Sequence, residues 1–103
     1  MSDPREVSES PRVQGVNERI AYVFDWTADT AKGTLTAATV KLYQWDGTDK
    51  SSTLLSGTTT VNGYLVTTPL VISLVSGMRY KLSCLATIGG IVLEAILLID
   101  AKA

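Results

Sequence analysis

The sequence predicts an all-β fold, an antiparallel sandwich of two sheets behind an extended N-terminal arm. Three observations lead there. From Ile20 onward, bulky apolar residues alternate with smaller or polar ones at a period of two. Turn signals separate these runs at short intervals, at Asp46-Gly47, Asn62-Gly63, Ser76-Gly77 and Gly89-Gly90. Between residues 20 and 100 no apolar period of about 3.6 persists beyond about two turns. About seven strands with short links fit one antiparallel sandwich. The 103 residues allow a single domain with a modest core.

Residues 1–19 read as the arm, extended or disordered. They hold seven of the nineteen charges and two of the three prolines, with no aromatic residue and no regular period. Two readings stay open, a frayed terminus or an arm lying along a neighbouring subunit. The domain proper is expected over 20–103. Its first strand sets Ile20, Tyr22, Phe24 and Trp26 on one face, bulky enough for core, against Ala21, Val23, Asp25 and Thr27. Residues 27–33 read as a loop. Leu35–Tyr43 is the next strand, with Ala38, Val40 and Leu42 inward and Thr39 and Lys41 outward.

A tight turn is expected at Asp46-Gly47. Thr53–Ser56 and Thr58–Val61 follow as short β pieces broken at Gly57. Asn62-Gly63 joins the second of them to Tyr64–Thr68 as a hairpin. Pro69 has no N–H for a ladder, so its strand ends there or lies at an edge. Leu70–Leu74 is brief. Tyr80, Leu82, Cys84, Ala86 and Ile88 then share an inward face, opposite Lys81, Ser83 and Thr87. The closing strand, Ile91–Ile99, is apolar on both faces, where a sandwich strand normally turns one polar face to water. Either it is covered on both sides, or Val92, Ile96 and Leu98 meet another chain.

Composition excludes more than it includes. Nine basic residues against ten acidic ones supply no basic excess to drive binding to nucleic acid or to an anionic membrane. The chain has no histidine, which removes the usual base for a serine or cysteine nucleophile and the commonest zinc ligand. One cysteine cannot form an intrachain disulfide. The polar, mixed-charge start does not look like a signal peptide, and the nine-residue run Ile91–Ile99 is too short for a membrane span. Folding in a reducing cytoplasm is expected, with no catalytic, cofactor-binding or metal-binding residue.

The individual polar and reactive groups suit local roles. Cys84 lies in an apolar row and reads as a small hydrophobe rather than a reactive thiol. Asp46 and Asp49 lack calcium-loop spacing and suit a turn. Asp25, Asp29, Glu94 and Asp100 show no spacing that pairs two carboxylates for glycoside chemistry. Gly89-Gly90 precedes no helix and is a hairpin rather than a phosphate cradle. Tyr43 and Trp45 flank a turn and suit either a contact surface or a sugar-stacking platform.

Leu74, Gly77 and Tyr80, three residues apart, resemble the tyrosine corner of immunoglobulin-like sandwiches, where the hydroxyl bonds back to main chain upstream. Trp26 is the candidate for the tryptophan between the sheets. The expected fold is therefore immunoglobulin- or fibronectin-III-like, with Tyr22, Phe24, Trp26, Val40, Leu42, Leu74, Tyr80, Leu82 and Cys84 in the core. A single cysteine departs from the disulfide-linked versions.

Across residues 20–100 the order of features resembles small immunoglobulin-like virion proteins of tailed bacteriophages, of the fibre–tail adaptor and head-decoration type. The residues are Tyr22-x-Phe24-Asp25-Trp26, Gly33-Thr34-Leu35-x-x-Ala38-x-Val40, Gly57, Gly63-x-x-Val66, Leu74-x-x-Gly77-x-x-Tyr80-x-x-x-Cys84 and Gly89-Gly90 before the closing strand. The resemblance implies a non-enzymatic structural viral protein, folded in the host cytoplasm and built into the virion in multiple symmetric copies. Its partners would be other head, tail or fibre subunits; the candidate contact residues, Val92, Ile96, Leu98, Tyr43 and Trp45, come from the pattern of the residues themselves. The alternative is a carbohydrate-binding or adhesion module.

Overall fold

A computed structural model of the chain describes residues 5–6 and 12–103, and the molecule is mostly β. In chain order the strands are β1 (Arg5–Glu6), β2 (Arg12–Gly15), β3 (Val23–Asp25), β4 (Leu35–Gln44), β5 (Leu55–Ser56), β6 (Thr60–Asn62), β7 (Leu65–Thr67), β8 (Leu70–Val71), β9 (Arg79–Ile88) and β10 (Ile91–Lys102). A 3₁₀ helix spans Thr27–Lys32, and a four-residue helix, α1, spans Ser51–Leu54.

The largest sheet is built on the β9–β10 hairpin. Gly89 and Gly90 both take positive φ at its turn, where Ile88 pairs with Ile91. β4 lies antiparallel along the other side of β9, with a bulge between Leu35 and Ala37. β1 and β2 run parallel to β10 on its far edge, Arg5 opposite Ala95 and Arg12 opposite Ile99. Part of the expected arm is therefore sheet: residues 12–15 form a strand, and Val16 N–H extends the pairing to Lys102 O at 2.8 Å. Residues 1–4 and 7–11 of that arm lie outside the described residues.

What fastens β2 is a glutamine. Gln14 is fully buried; its Nε2 donates to Val71 O (2.8 Å) and Glu18 O (3.1 Å), and its Oε1 accepts from the Tyr22 hydroxyl (2.7 Å). A buried amide is tolerable only when its donors and acceptor are engaged, and here they are.

The remaining strands form a three-stranded sheet, β3–β7–β6, and a two-stranded one, β5–β8. They are linked along the chain direction. Residues 20–26 run beside 64–71 through an Ile20–Val71 bridge, Thr68 N–H to Tyr22 O (2.8 Å) and Trp26 N–H to Tyr64 O (2.8 Å). Pro69 sits in the gap between β7 and β8, as its missing N–H requires. The β6–β7 turn falls one residue later than Asn62-Gly63 suggests. Asn62 pairs with Leu65, so Gly63 and Tyr64 are the central residues, and Gly63 at φ 62° meets the type II′ demand for glycine first.

Alternation decides burial. Tyr22, Phe24 and Trp26 are buried while Ala21, Val23, Asp25 and Thr27 are exposed. One cluster joins them to Val40 and Leu42 of β4, Val66, Val71, Leu74, and Tyr80, Leu82, Cys84, Ala86 and Ile88 of β9. Ala95, Leu97, Ile99 and Ala101 of β10 complete it. All nine residues expected in the core belong to this cluster. The Tyr80 hydroxyl accepts Val75 N–H at 3.0 Å, a main-chain bond five residues upstream.

Two local expectations differ from what forms. The expected loop over 27–33 is mostly 3₁₀ helix; Asp25 accepts Thr27 N–H at its start (2.9 Å), and Asp29 pairs with Lys32 (2.9 Å). Thr53 and Leu54, expected in a strand, lie in α1. Asp49 accepts Ser51 N–H (2.9 Å) and Ser51 Oγ accepts Leu42 N–H (2.9 Å), which turns the chain over β4 before it can extend.

Candidate functional site

Strand register brings the five expected interface residues onto one face, the outer face of β4–β9–β10. Tyr43 of β4, Lys81 of β9 and Leu98 of β10 form one row, and Lys41, Ser83 and Ile96 the next. Thr39, Leu85 and Glu94 follow, then Ala37, Thr87 and Val92. Trp45, just beyond the end of β4, stands beside Arg79. Val92 and Trp45 are 56% and 60% exposed; Tyr43, Ile96 and Leu98 are half-buried. Among the described residues the closing strand thus packs into the core through one side, while its other side is partly apolar, exposed at Val92 and half-buried from Glu94 to Asp100.

Cross-strand charges order this face. Arg79 grips Asp100 in a two-point bond, Nε to Oδ1 at 2.6 Å and an Nη to Oδ2 at 3.1 Å, and this bond holds the Asp100 carboxyl below the ordinary carboxylate range. The Arg79 guanidinium also lies 5.6 Å from the Trp45 ring centre, and the Lys81 ammonium 5.4 Å from that of Tyr43. Each such contact contributes about 0.5–1 kcal/mol at an exposed site. Ser83 Oγ donates to Glu94 (2.5 Å), so a half-buried carboxylate next to apolar neighbours keeps a partner. Alternation in the sequence places Lys81 on this outward face but does not single out Arg79 and Leu85. Their signal was the period-two set 79, 81, 83 and 85 on the face opposite Tyr80 and Cys84.

The polar groups weighed for chemistry are engaged locally. Asp46 accepts Thr48 N–H (3.0 Å), which lowers its carboxyl pKa, and Asp49 is lowered by the Ser51 hydroxyl and, after it, the Ser51 amide. Asp25 is lowered by the Thr27 hydroxyl and amide. Asp29, Glu94 and Asp100 take Lys32, Ser83 and Arg79. Among the described residues no three of His, Cys, Asp and Glu group as a metal site, and no helix is long and apolar enough to cross a membrane.

Cys84 is fully buried, and burial pushes its thiol from the ordinary 9.0 up to about 11 against a smaller opposing effect of the Trp26 side chain. The folded state therefore holds the thiol proton over a range in which the unfolded chain has lost it. Stability supplied by this neutral thiol is complete below about pH 9 and declines as pH rises towards about 11. Denaturant melts at pH 8 and pH 10.5 should show this loss, and Cys84→Ala should reduce it. An identical decline in both proteins would assign it elsewhere, Tyr22 being the other buried acid with a raised pKa.

Compared with known proteins, the chain matches no family model, no curated protein and no solved structure.

Proposed function

We propose that this chain is a non-enzymatic structural protein of a bacteriophage particle, a tail or fibre adaptor or a capsid-decoration subunit, acting through protein–protein contacts. The observation that carries the contact role is the outer face of β4–β9–β10. It combines an exposed tryptophan, a stacked arginine and tyrosine, and open apolar side chains, the residue types that dominate protein interfaces. The particle assignment rests on the ordered resemblance of residues 20–100 to small virion proteins.

The same reading takes the strand groups as two layers of an immunoglobulin-like sandwich. Three features support it: the order β10–β9–β4 in one group, β2 parallel to β10, and the Tyr80 hydroxyl bound to the main chain at Val75. Carbohydrate binding through Tyr43 and Trp45 is weaker, because Lys81 and Arg79 each lie over one of the two rings.

Mass spectrometry of particles purified from cells expressing the gene tests the assignment. The chain should band with the particles in a fixed ratio to other structural proteins. Its presence in the cells but absence from washed particles would refute the reading. Glycan binding abolished by Trp45→Ala would support the adhesion module instead.

A further inference from the structure

The strand β4 has an unusual edge. Leu42 N–H donates to Ser51 Oγ and Leu42 O accepts Lys50 N–H (2.8 Å), so both main-chain groups point away from β9. Period-two geometry directs the N–H and C=O of Val40 and Ala38 to that same side. Among the described residues no hydrogen bond reaches them. The chain covers part of its other long edge, since β1 pairs with Ala95–Ile96 and β2 with Ile99–Lys102 of β10, and keeps its smaller sheets to strands of two or three residues. Short strands and coverage are how proteins normally suppress edge pairing. The open stretch Leu35-Thr36-Ala37-Ala38-Thr39-Val40 has neither charge nor proline, and Thr36, Ala37 and Thr39 are exposed.

We propose that this edge pairs with the same edge of a second copy, antiparallel about a two-fold axis at Ala38. Two local features select that register. The segment Thr48–Ser51 already brackets β4 from Leu42 onward, and the bulge between Leu35 and Ala37 marks the other end. Ala38 is the middle of what remains. Ala38 then faces Ala38 of the second copy, Val40 faces Thr36, Thr39 faces Ala37, and Lys41 faces Leu35. No like charges meet across the pair. Centring the axis on Val40 instead would drive the second strand into Thr48–Ser51. Pairing of this kind joins two β4–β9–β10 sheets into one continuous sheet. The inference does not depend on the virion assignment, because a purified dimer would stand even if particles lacked the chain.

So short a strand pair makes a small interface, and weak, concentration-dependent dimerisation is expected. Sedimentation of the full chain from micromolar to millimolar concentration should show a monomer–dimer equilibrium. The double variant Ala37→Lys/Thr39→Lys puts lysines opposite one another on exposed positions and should weaken dimerisation by about tenfold or more, with an unchanged melting temperature. Val92→Lys, on the outer face, should leave the dimer intact. In hydrogen exchange, the Ala38 and Val40 amides should slow at millimolar concentration. A chain that stays monomeric at millimolar concentration would overturn the proposal. So would a dimer lost on Val92→Lys, whatever the double-lysine variant does: Ala37 and Thr39 share the outer face with Val92, but Val92 lies two strands from the edge, and its effect would mean that the sheet faces, not the edges, meet.

Discussion

Replacing Gln14 with leucine should destabilise the fold by about 3 kcal/mol, a large share of the roughly 5–15 kcal/mol that holds a domain of this size. Leucine nearly matches the volume but removes both donors and the acceptor. The Tyr22 hydroxyl loses its partner in a buried site, at about 1–3 kcal/mol, and the Val71 carbonyl keeps only the longer bond from Ile20 N–H (3.3 Å). A fall in melting temperature of more than about 10 °C is expected. The double variant Gln14→Leu/Tyr22→Phe discriminates, because it deletes the stranded hydroxyl together with its partner. Stability should partly return, and the two changes should couple by about 1 kcal/mol or more. Additive losses would mean that Gln14 acts through packing alone.

Gly89→Ala should be at least as damaging. Gly89 has φ 58°, and a Cβ there would lie 1.9 Å from Lys32 O and 2.9 Å from Lys32 C. Both neighbours are backbone, so no side chain can swing aside. The β9–β10 turn must separate from the segment ending the 3₁₀ helix, breaking Gly89 N–H to Thr34 O (3.2 Å). Left-handed strain and forced displacement together suggest a loss above about 3 kcal/mol. Gly90→Ala is the internal control. Its φ is 83° and its added Cβ would meet nothing within 4 Å, so about 1 kcal/mol of backbone strain is all that it should show. Equal losses in the two variants would rule out the Lys32 contact as the cause.

These two positions also mark where the sequence stops being readable. The burial of Tyr22, Phe24, Trp26, Leu82 and Cys84 follows from alternation, which needs only local sequence. Gln14 gives no such signal: it is polar, lies in a charged segment, and is buried because Tyr22 and Val71 arrive from elsewhere in the chain. Gly89 is legible as a turn residue but not as the floor under Lys32. α1 was missed because Ser51, Ser52 and Thr53 read as a polar, β-tolerant run. Their turn is set by side-chain bonds to Asp49 and Leu42, which alternation cannot register.

The candidate surface was half legible for the same reason. The two-sided apolarity of Ile91–Ile99 and the aromatics flanking Asp46-Gly47 are visible in one dimension. That Arg79 stacks on Trp45 and Lys81 on Tyr43 depends on the register of three strands. The proposed contact role rests on this face, and the proposed pairing with a second copy rests on the edge of β4 that no described residue covers.

The account depends on a single core shared by the β4–β9–β10 sheet and the smaller sheets, with Cys84 fully buried in it. The rate at which a bulky aromatic disulfide reagent modifies Cys84 in native buffer tests this most directly. Modification should proceed only as fast as the whole domain opens, accelerating with denaturant in step with unfolding. Prompt, complete reaction of the native protein would mean that the two strand groups do not close over the thiol.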